Sequence, residues 1–201
     1  MKTCILVGSH RVESESSRVA SYIEQRLKAI SGTETVVVSL AGNPLPLWDE
    51  GVWADEPKWA TAWKPIARQL AESDAVVVVS PEWSGMAPAG LKNFFLLCGN
   101  DVLAHKPGLI VAVSAALGGS YPVAELRMSS YKNTRLCYIP EHVIVRNVGR
   151  MLKGDSPADE HDASLRSRID YSLKLLLEYA KGLAAVRASG VVDFKQFPYG
   201  M

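Results

Sequence analysis

The residues best suited to chemistry lie near the start of the chain, in Gly8-Ser-His-Arg-Val-Glu-Ser-Glu-Ser-Ser17. They follow a short apolar run, Cys4-Ile-Leu-Val7, and precede Val19, Ala20, Ile23 and Leu27 at three- and four-residue spacing. That order predicts a strand, a loop and a helix. A Gly- and Ser-rich loop at a helix start offers unpaired backbone N–H groups and the positive end of the helix dipole, which suit a phosphate. Ser9, Ser14, Ser16 and Ser17 add hydroxyl donors, and Arg11 supplies the charge that matches a phosphate dianion. The competing reading is that the serines only cap the helix. Neither G-x-G-x-x-G nor G-x-x-x-x-G-K-[ST] occurs, so a single phosphate monoester fits better than a pyrophosphate or triphosphate.

Two later loops carry similar features. Ser80-Pro-Glu-Trp-Ser-Gly-Met-Ala-Pro-Ala-Gly-Leu-Lys-Asn93 follows an apolar run. Its Pro81 and Pro88 stiffen the backbone, and Gly85 and Gly90 free it where it must face a ligand. Trp83 offers a flat apolar surface, Ser84 and the loop amides offer hydrogen bonds, and Glu82 is either a loop anchor or a ligand contact. The plain alternative is an ordinary strand-to-helix turn. Ser114-Ala-Ala-Leu-Gly-Gly-Ser120 again has small residues that permit close backbone approach. Other chemistry finds little support. His10, His105, His142 and His161 are scattered, and there is no H-E-x-x-H or carboxylate pair. Ser84 lacks the G-x-S-x-G setting of a hydrolase nucleophile. No side chain is assigned as catalytic, and no metal site is expected.

Apolar runs that could position these loops are Cys4–Val7, Thr35–Leu40, Ala75–Val79, Leu109–Val113 and Val143–Val145. Helical patterns lie between them at about Ser17–Ile30, Glu56–Glu72, Ala89–Leu97, Val123–Arg135 and Ala163–Val186. Continuous β-branched runs mark strands covered on both faces, so the alternation predicts an α/β doubly wound sandwich around a parallel sheet. Ligands of such sheets bind beyond the carboxyl ends of the strands, where strand order reverses. The loops after the first, third and fourth strands are therefore the candidates. Ala41–Gly51 is a long Pro/Gly loop with one Trp, and Gly149–Glu160 reads as an exposed polar connection. Residues 1–188 form one domain, and the 189–201 tail, with Phe194, Phe197 and Tyr199, receives no role.

Composition narrows the setting. The 201 residues are 48% apolar and 21% charged, enough for a full core. A net charge of +1 gives no electrostatic case for nucleic acid or an anionic membrane, nor for a strongly acidic electron carrier. Cys4, Cys98 and Cys137 form no metal or redox spacing, which fits thiols in a reducing cytoplasm. The apolar run after Lys2 is too short for a secretory signal, and no stretch could span a bilayer. A cytoplasmic location is expected.

G-S-x-R-x-x-S-x-S-x-x-x-A at Gly8–Ala20 is similar to the first loop of the NADPH-dependent FMN reductase family. P-E-W-S-G-x-x-P-x-x-L-K-N at Pro81–Asn93 resembles its P-E-Y-N-x-x-x-P-x-x-L-K-N loop. Gly118–Arg127 and Leu45–Asp49 resemble two further segments, in matching order. The resemblance implies a flavodoxin-like fold with a five-stranded sheet of order 2-1-3-4-5 and bound FMN. It places Ser9, Arg11, Ser14 and Ser16 on the phosphate. Pro81, Glu82, Trp83, Ser84 and Gly85 would contact the isoalloxazine, largely through backbone, and Ser114, Gly118, Gly119 and Ser120 would close its other side. It further implies ping-pong hydride transfer from NAD(P)H to FMN and on to a quinone, flavin, azo compound or similar small-molecule acceptor. Trp83-Ser84 replaces the family's Tyr-Asn, and Tyr121 stands where Arg is frequent, so pocket shape and substrate preference are expected to differ. A flavodoxin-like electron carrier and a non-catalytic binding protein of the same fold remain the alternatives. Leu91, Phe94, Phe95, Leu96, Leu97 and Cys98 surround too much of their helix for one face to bury. A homodimer or homotetramer through residues 90–98 is expected, against the alternative of a helix deeply buried within one subunit.

Overall fold

The computed structural model describes residues 1–99 and 101–200. The chain runs β1 (Lys2–Val7), α1 (Glu15–Ser31), β2 (Glu34–Ser39), α2 (Pro57–Ala62), α3 (Lys64–Ala71), β3 (Ala75–Pro81), α4 (Ala89–Leu97), β4 (Pro107–Val113), α5 (Ser120–Ser129), β5 (Cys137–Val145) and α6 (Glu160–Ala188). The five strands are parallel in the order β2-β1-β3-β4-β5, the flavodoxin-like arrangement. Strand order reverses between β1 and β3, where Val7 lies beside Val79.

Alternation along each strand fills two layers. Leu6, Val78 and Ile110 pack on one face with Trp59, Trp63, Leu70 and Phe94. Ile5, Val77 and Val111 pack on the other with Ile23, Leu27, Leu173 and Leu176. A fully buried aliphatic side chain of this kind contributes roughly 1.5–3 kcal/mol. These layers fix where each strand ends and so where its loop begins. At the amino ends of the strands, buried Lys106 donates from Nζ to the carbonyls of Leu70 and Ala71, both at 2.7 Å, closing the last turn of α3. Burial lowers its ammonium to about 8, with Arg187 adding to the shift.

Several expected boundaries move. The helix over 56–72 is two helices broken at Trp63, because Pro65 lacks an N–H and its ring opposes the carbonyl four residues earlier. The helix expected over 123–135 starts at Ser120 and stops at Ser129. β5 is nine residues long rather than three, and its Pro140 is tolerated on an edge strand. The 149–160 connection is only partly exposed. Leu152 is buried within it, and buried Asp162 accepts from the N–H groups of Leu152 (2.8 Å) and Ala158 (3.0 Å) and pairs with Arg166. Arg18 of α1 reaches across to the carbonyls of Val148 (2.6 Å) and Leu152 (2.9 Å).

The apolar excess on α4 is absorbed by the chain itself. Leu91, Phe94, Phe95, Leu97 and Cys98 are buried among Trp63, Val102, Leu103 and Leu126, and only Leu96 stays open, at 64% exposure. The inference from that helix to a second subunit therefore loses its premise. The tail lies on the outside of this layer and the adjoining turn. Phe194 packs against Arg135 and His105, and Arg135 donates to the Phe197 carbonyl. Among the described residues, no helix is long and apolar enough to cross a membrane.

Candidate functional site

Each candidate loop leaves the sheet under control of a neighbouring strand. Gly8 donates to the Val79 carbonyl (2.8 Å), Glu82 to Val113 (2.9 Å) and Ser114 to Val145 (2.9 Å). Gly8 has no room for a side chain, since a Cβ there would lie 2.8 Å from Leu91 Cδ2 and 3.0 Å from the Val79 carbonyl. The first loop thus starts at the topological switch point, close to the base of the third.

In the first loop, Ser14 is the N-cap of α1. Its Oγ accepts from the Ser17 N–H at 3.1 Å and is 2.9 Å from Ser17 Oγ. Ser9 and Ser16 are buried, and Ser9 Oγ accepts from the Arg11 N–H at 3.3 Å. Capping is therefore real, and it leaves charge over. The Arg11 guanidinium is exposed and has no carboxylate or hydrogen-bond partner among the described residues. It stands just ahead of a 17-residue helix, where an anion is favoured. The Gly42 N–H donates to the His10 carbonyl (3.0 Å), joining this loop to the one after β2.

The third loop turns at Trp83–Met86, where each residue's N–H donates to the other's carbonyl at 3.1 and 3.0 Å. Ser84 (φ 51°) and Gly85 (φ 74°) are both left-handed, the requirement of a two-residue hairpin turn. Asn tolerates that conformation better than Ser, so Ser84 strains the turn slightly where the family pattern has Asn. The Trp83 ring meets the His10 ring edge-on, with centroids 4.5 Å apart, bringing the first and third loops together. His10 Nδ1 is buried with no hydrogen-bond partner among the described residues. Tyr121 stands beside the same turn, its Cδ2 lying 3.9 Å from where a Cβ of Gly85 would be.

The far end of this loop is anchored on α5. Glu125 accepts from the Ala87 N–H at 2.7 Å and pairs with Lys92 at 2.9 Å. Burial pushes the Glu125 carboxyl up, but that amide and that ammonium outweigh it and hold it below its ordinary value. Asn93 ties the loop after β2 to α4, accepting from Trp48 N–H (2.7 Å) and donating to the Pro46 carbonyl (2.8 Å).

Glu82 joins the third loop to the fourth, its Oε2 accepting from the Gly119 N–H at 2.6 Å. A Cβ on Gly118 would overlap Glu82 Oε1 and lie 3.1 Å from Ser114 Oγ, and one on Gly119 (φ 105°) would overlap Ile144 Cγ2. This close-fitting turn carries Ser120, the first residue of α5, and is held from outside by Arg146. The geometry thus brings together all three expected loops, with Pro81 and Ser114 buried at their bases and Ser84, Gly85 and Ser120 exposed. The anchoring roles of Asn93, Glu125 and Arg146 have no sequence signal beyond the L-K-N ending of the third motif.

An open parallel sheet of this order, with a hydroxyl-rich first loop and two main-chain loops beside it, defines a flavodoxin-like mononucleotide-binding protein. The chain belongs to the NADPH-dependent FMN reductase family, which it matches over residues 1–149. It is 32% identical to a quinone reductase of Pseudomonas putida over 120 residues, 57% of this chain and 61% of that protein, less than two thirds of the relative's length. It is 29% identical to a 2-hydroxy-1,4-benzoquinone reductase of a Burkholderia species over 157 residues, 75% and 82% of the two chains. FerB, a flavoenzyme NAD(P)H:(acceptor) oxidoreductase from Paracoccus denitrificans, superposes with a TM-score of 0.70 at 18% identity, covering 90% of this chain and 97% of that one. The last of these shows the fold.

Proposed function

We propose that the protein is an FMN-dependent NAD(P)H oxidoreductase that reduces a quinone-type small molecule. The observation that carries this reading is the convergence of an unpaired Arg11 at the start of α1 with two turns whose N–H groups at Ser84, Gly85 and Gly118 have no hydrogen-bond partner among the described residues. One end offers charge and hydroxyls for a phosphate, and the other offers main-chain donors for a polar ring edge. The missing Cβ atoms at Gly118 and Gly119 allow that main chain to sit where a side chain would not fit. These residues fit FMN.

FMN, when bound, supplies the capacity to accept a hydride from NAD(P)H and to pass electrons on. The chain's own work is narrower. Arg11, Ser9, Ser14, Ser16 and Ser17 seat the phosphate, with Arg11 as anchor rather than acid. The 83–86 and 117–120 turns would hold the ring, the N–H groups of Ser84, Gly85 and Gly118 offering dipoles that would favour negative charge on it. Trp83, propped by His10, shapes the side from which substrates enter. The two substrates use this side in turn, which is the basis of a ping-pong order, and no side-chain proton donor is assigned. The family relatives named for quinone reduction support a quinone-type acceptor. The buried thiols fit a reducing cytoplasm. We also propose a homodimer or homotetramer, now through the hollow of about 810 Å³ where Trp53, Leu96 and Tyr199 leave apolar surface beside α4.

Purified protein tests the reading. A yellow preparation that bleaches on anaerobic addition of NADPH or NADH, and recovers colour with a quinone, supports it. Yellow protein indifferent to both nucleotides identifies an electron carrier instead. Colourless protein that takes up no added FMN removes the redox role. Sedimentation of the same sample reads the assembly state.

A further inference from the structure

No motif marks Arg146, which follows the last residue of β5. Its Nε donates to the carbonyls of Leu117 (2.7 Å) and Gly118 (3.1 Å), and its Nη2 lies 3.3 Å from Ser120 Oγ. All three bonds fall on the turn whose Gly119 N–H is held from the other side by Glu82 at 2.6 Å. The same β5–α6 connection also donates from Asn147 N–H to the Ala116 carbonyl (2.9 Å) and from Val148 N–H to Ser114 (3.2 Å). The fourth loop is thus stitched along its length to residues 146–148. Arg146 is the charged side chain in that seam, and no carboxylate pairs with it among the described residues.

We propose that Arg146 is a positioning residue that sets the redox preference of the flavin site, an inference that rests on the FMN reading above. The fork fixes the Leu117–Ser120 turn in one geometry. It also acts on the turn's donors. The Leu117 carbonyl and the Gly118 N–H belong to one peptide group, so a cation on the oxygen strengthens the N–H as a donor. That N–H has no partner among the described residues and is available to a ligand. A strengthened donor beside a positive charge favours reduced FMN, the more electron-rich form, over oxidised FMN.

The test is a spectroelectrochemical titration of the holoenzyme, wild type and Arg146→Ala, Arg146→Lys and Arg146→Gln, together with FMN titrations and melting of the FMN-free proteins. Arg146→Ala is expected to lose about tenfold in affinity for reduced relative to oxidised FMN, a two-electron potential lower by about 30 mV. Arg146→Lys, which keeps the charge, recovers more than half of that shift. Arg146→Gln, which keeps donors without charge, stays near the Ala value. An unchanged potential in an Arg146→Ala protein that melts like wild type overturns the proposal, as does a Lys variant indistinguishable from Ala. If wild type itself takes up no FMN, it is the FMN reading that falls.

Discussion

Replacing Gly119 with Ala tests the construction of the fourth loop directly. At φ 105° an L-residue adopts a conformation that costs roughly 1–3 kcal/mol. The added Cβ would also lie inside 3.0 Å of Ile144 Cγ2, a separation that real Cβ atoms essentially never show. Overpacking of this kind adds roughly 1–3 kcal/mol, so the sum is about 2–6 kcal/mol. For a chain of this size each kcal/mol moves the melting temperature by about 2–4 °C. A Gly119→Ala protein free of FMN is therefore expected to melt roughly 7–14 °C below wild type if the loss is near 3.5 kcal/mol. Ile144→Ala removes the offending methyl at its own cost, which for this half-buried side chain lies at or below the lower end of the roughly 2–5 kcal/mol of a buried Ile→Ala change. The double variant should then be less destabilised than the sum of the two by about 1–2 kcal/mol, because the collision is gone while the φ strain stays. Urea unfolding of the four proteins measures this coupling. Strict additivity, or a Gly119→Ala protein that melts with wild type, would refute the reasoning.

Two further outcomes follow from the same geometry. Arg11→Ala should weaken FMN binding by about 2 kcal/mol, or roughly thirtyfold, through loss of a charge-assisted contact; unchanged affinity in a fluorescence titration removes the anchoring role. Asp162 gives a pH dependence. Burial pushes its carboxyl up, but the Leu152 and Ala158 N–H groups and Arg166 outweigh burial and hold it below its ordinary value. A depressed folded value means that its stabilisation is complete above about pH 5 and fades as pH falls below about 4. Asp162→Asn should cost about 1–3 kcal/mol at pH 7 and progressively less as pH falls below about 4 toward the lowered folded value, read from urea midpoints; equal midpoints at pH 7 would contradict this.

The centre of the sheet was legible because β1, β3 and β4 are short apolar runs buried on both sides, such as Ala75–Val79, which few other structures accommodate. β5 was largely hidden. As an edge strand it carries Pro140, Glu141 and His142, and its pairing partners, not its composition, make it a strand. The break at Trp63 was readable from Pro65, while the depth of α4 was not. A helix with apolar residues around most of its circumference looks the same whether a second subunit or its own chain covers it, and here residues such as Trp63 and Leu103 do so from elsewhere in the sequence. In the site, loop membership followed from motif and spacing. The tethers that shape the loops did not, because Glu125, Asn93 and Arg146 act over separations of 26 to 47 residues that no local pattern encodes.

The capping of α3 by buried Lys106 lies at the opposite rim of the sheet from the three candidate loops. One end of the molecule therefore secures the scaffold, while Leu47, Met86 and Leu117 on loops and Tyr121 in the first turn of α5 stand at the other, solvent-facing and outside the core. Under the proposed redox role, a different electron acceptor can be accommodated by exchanging these four side chains without drawing on the interactions that keep the sheet assembled.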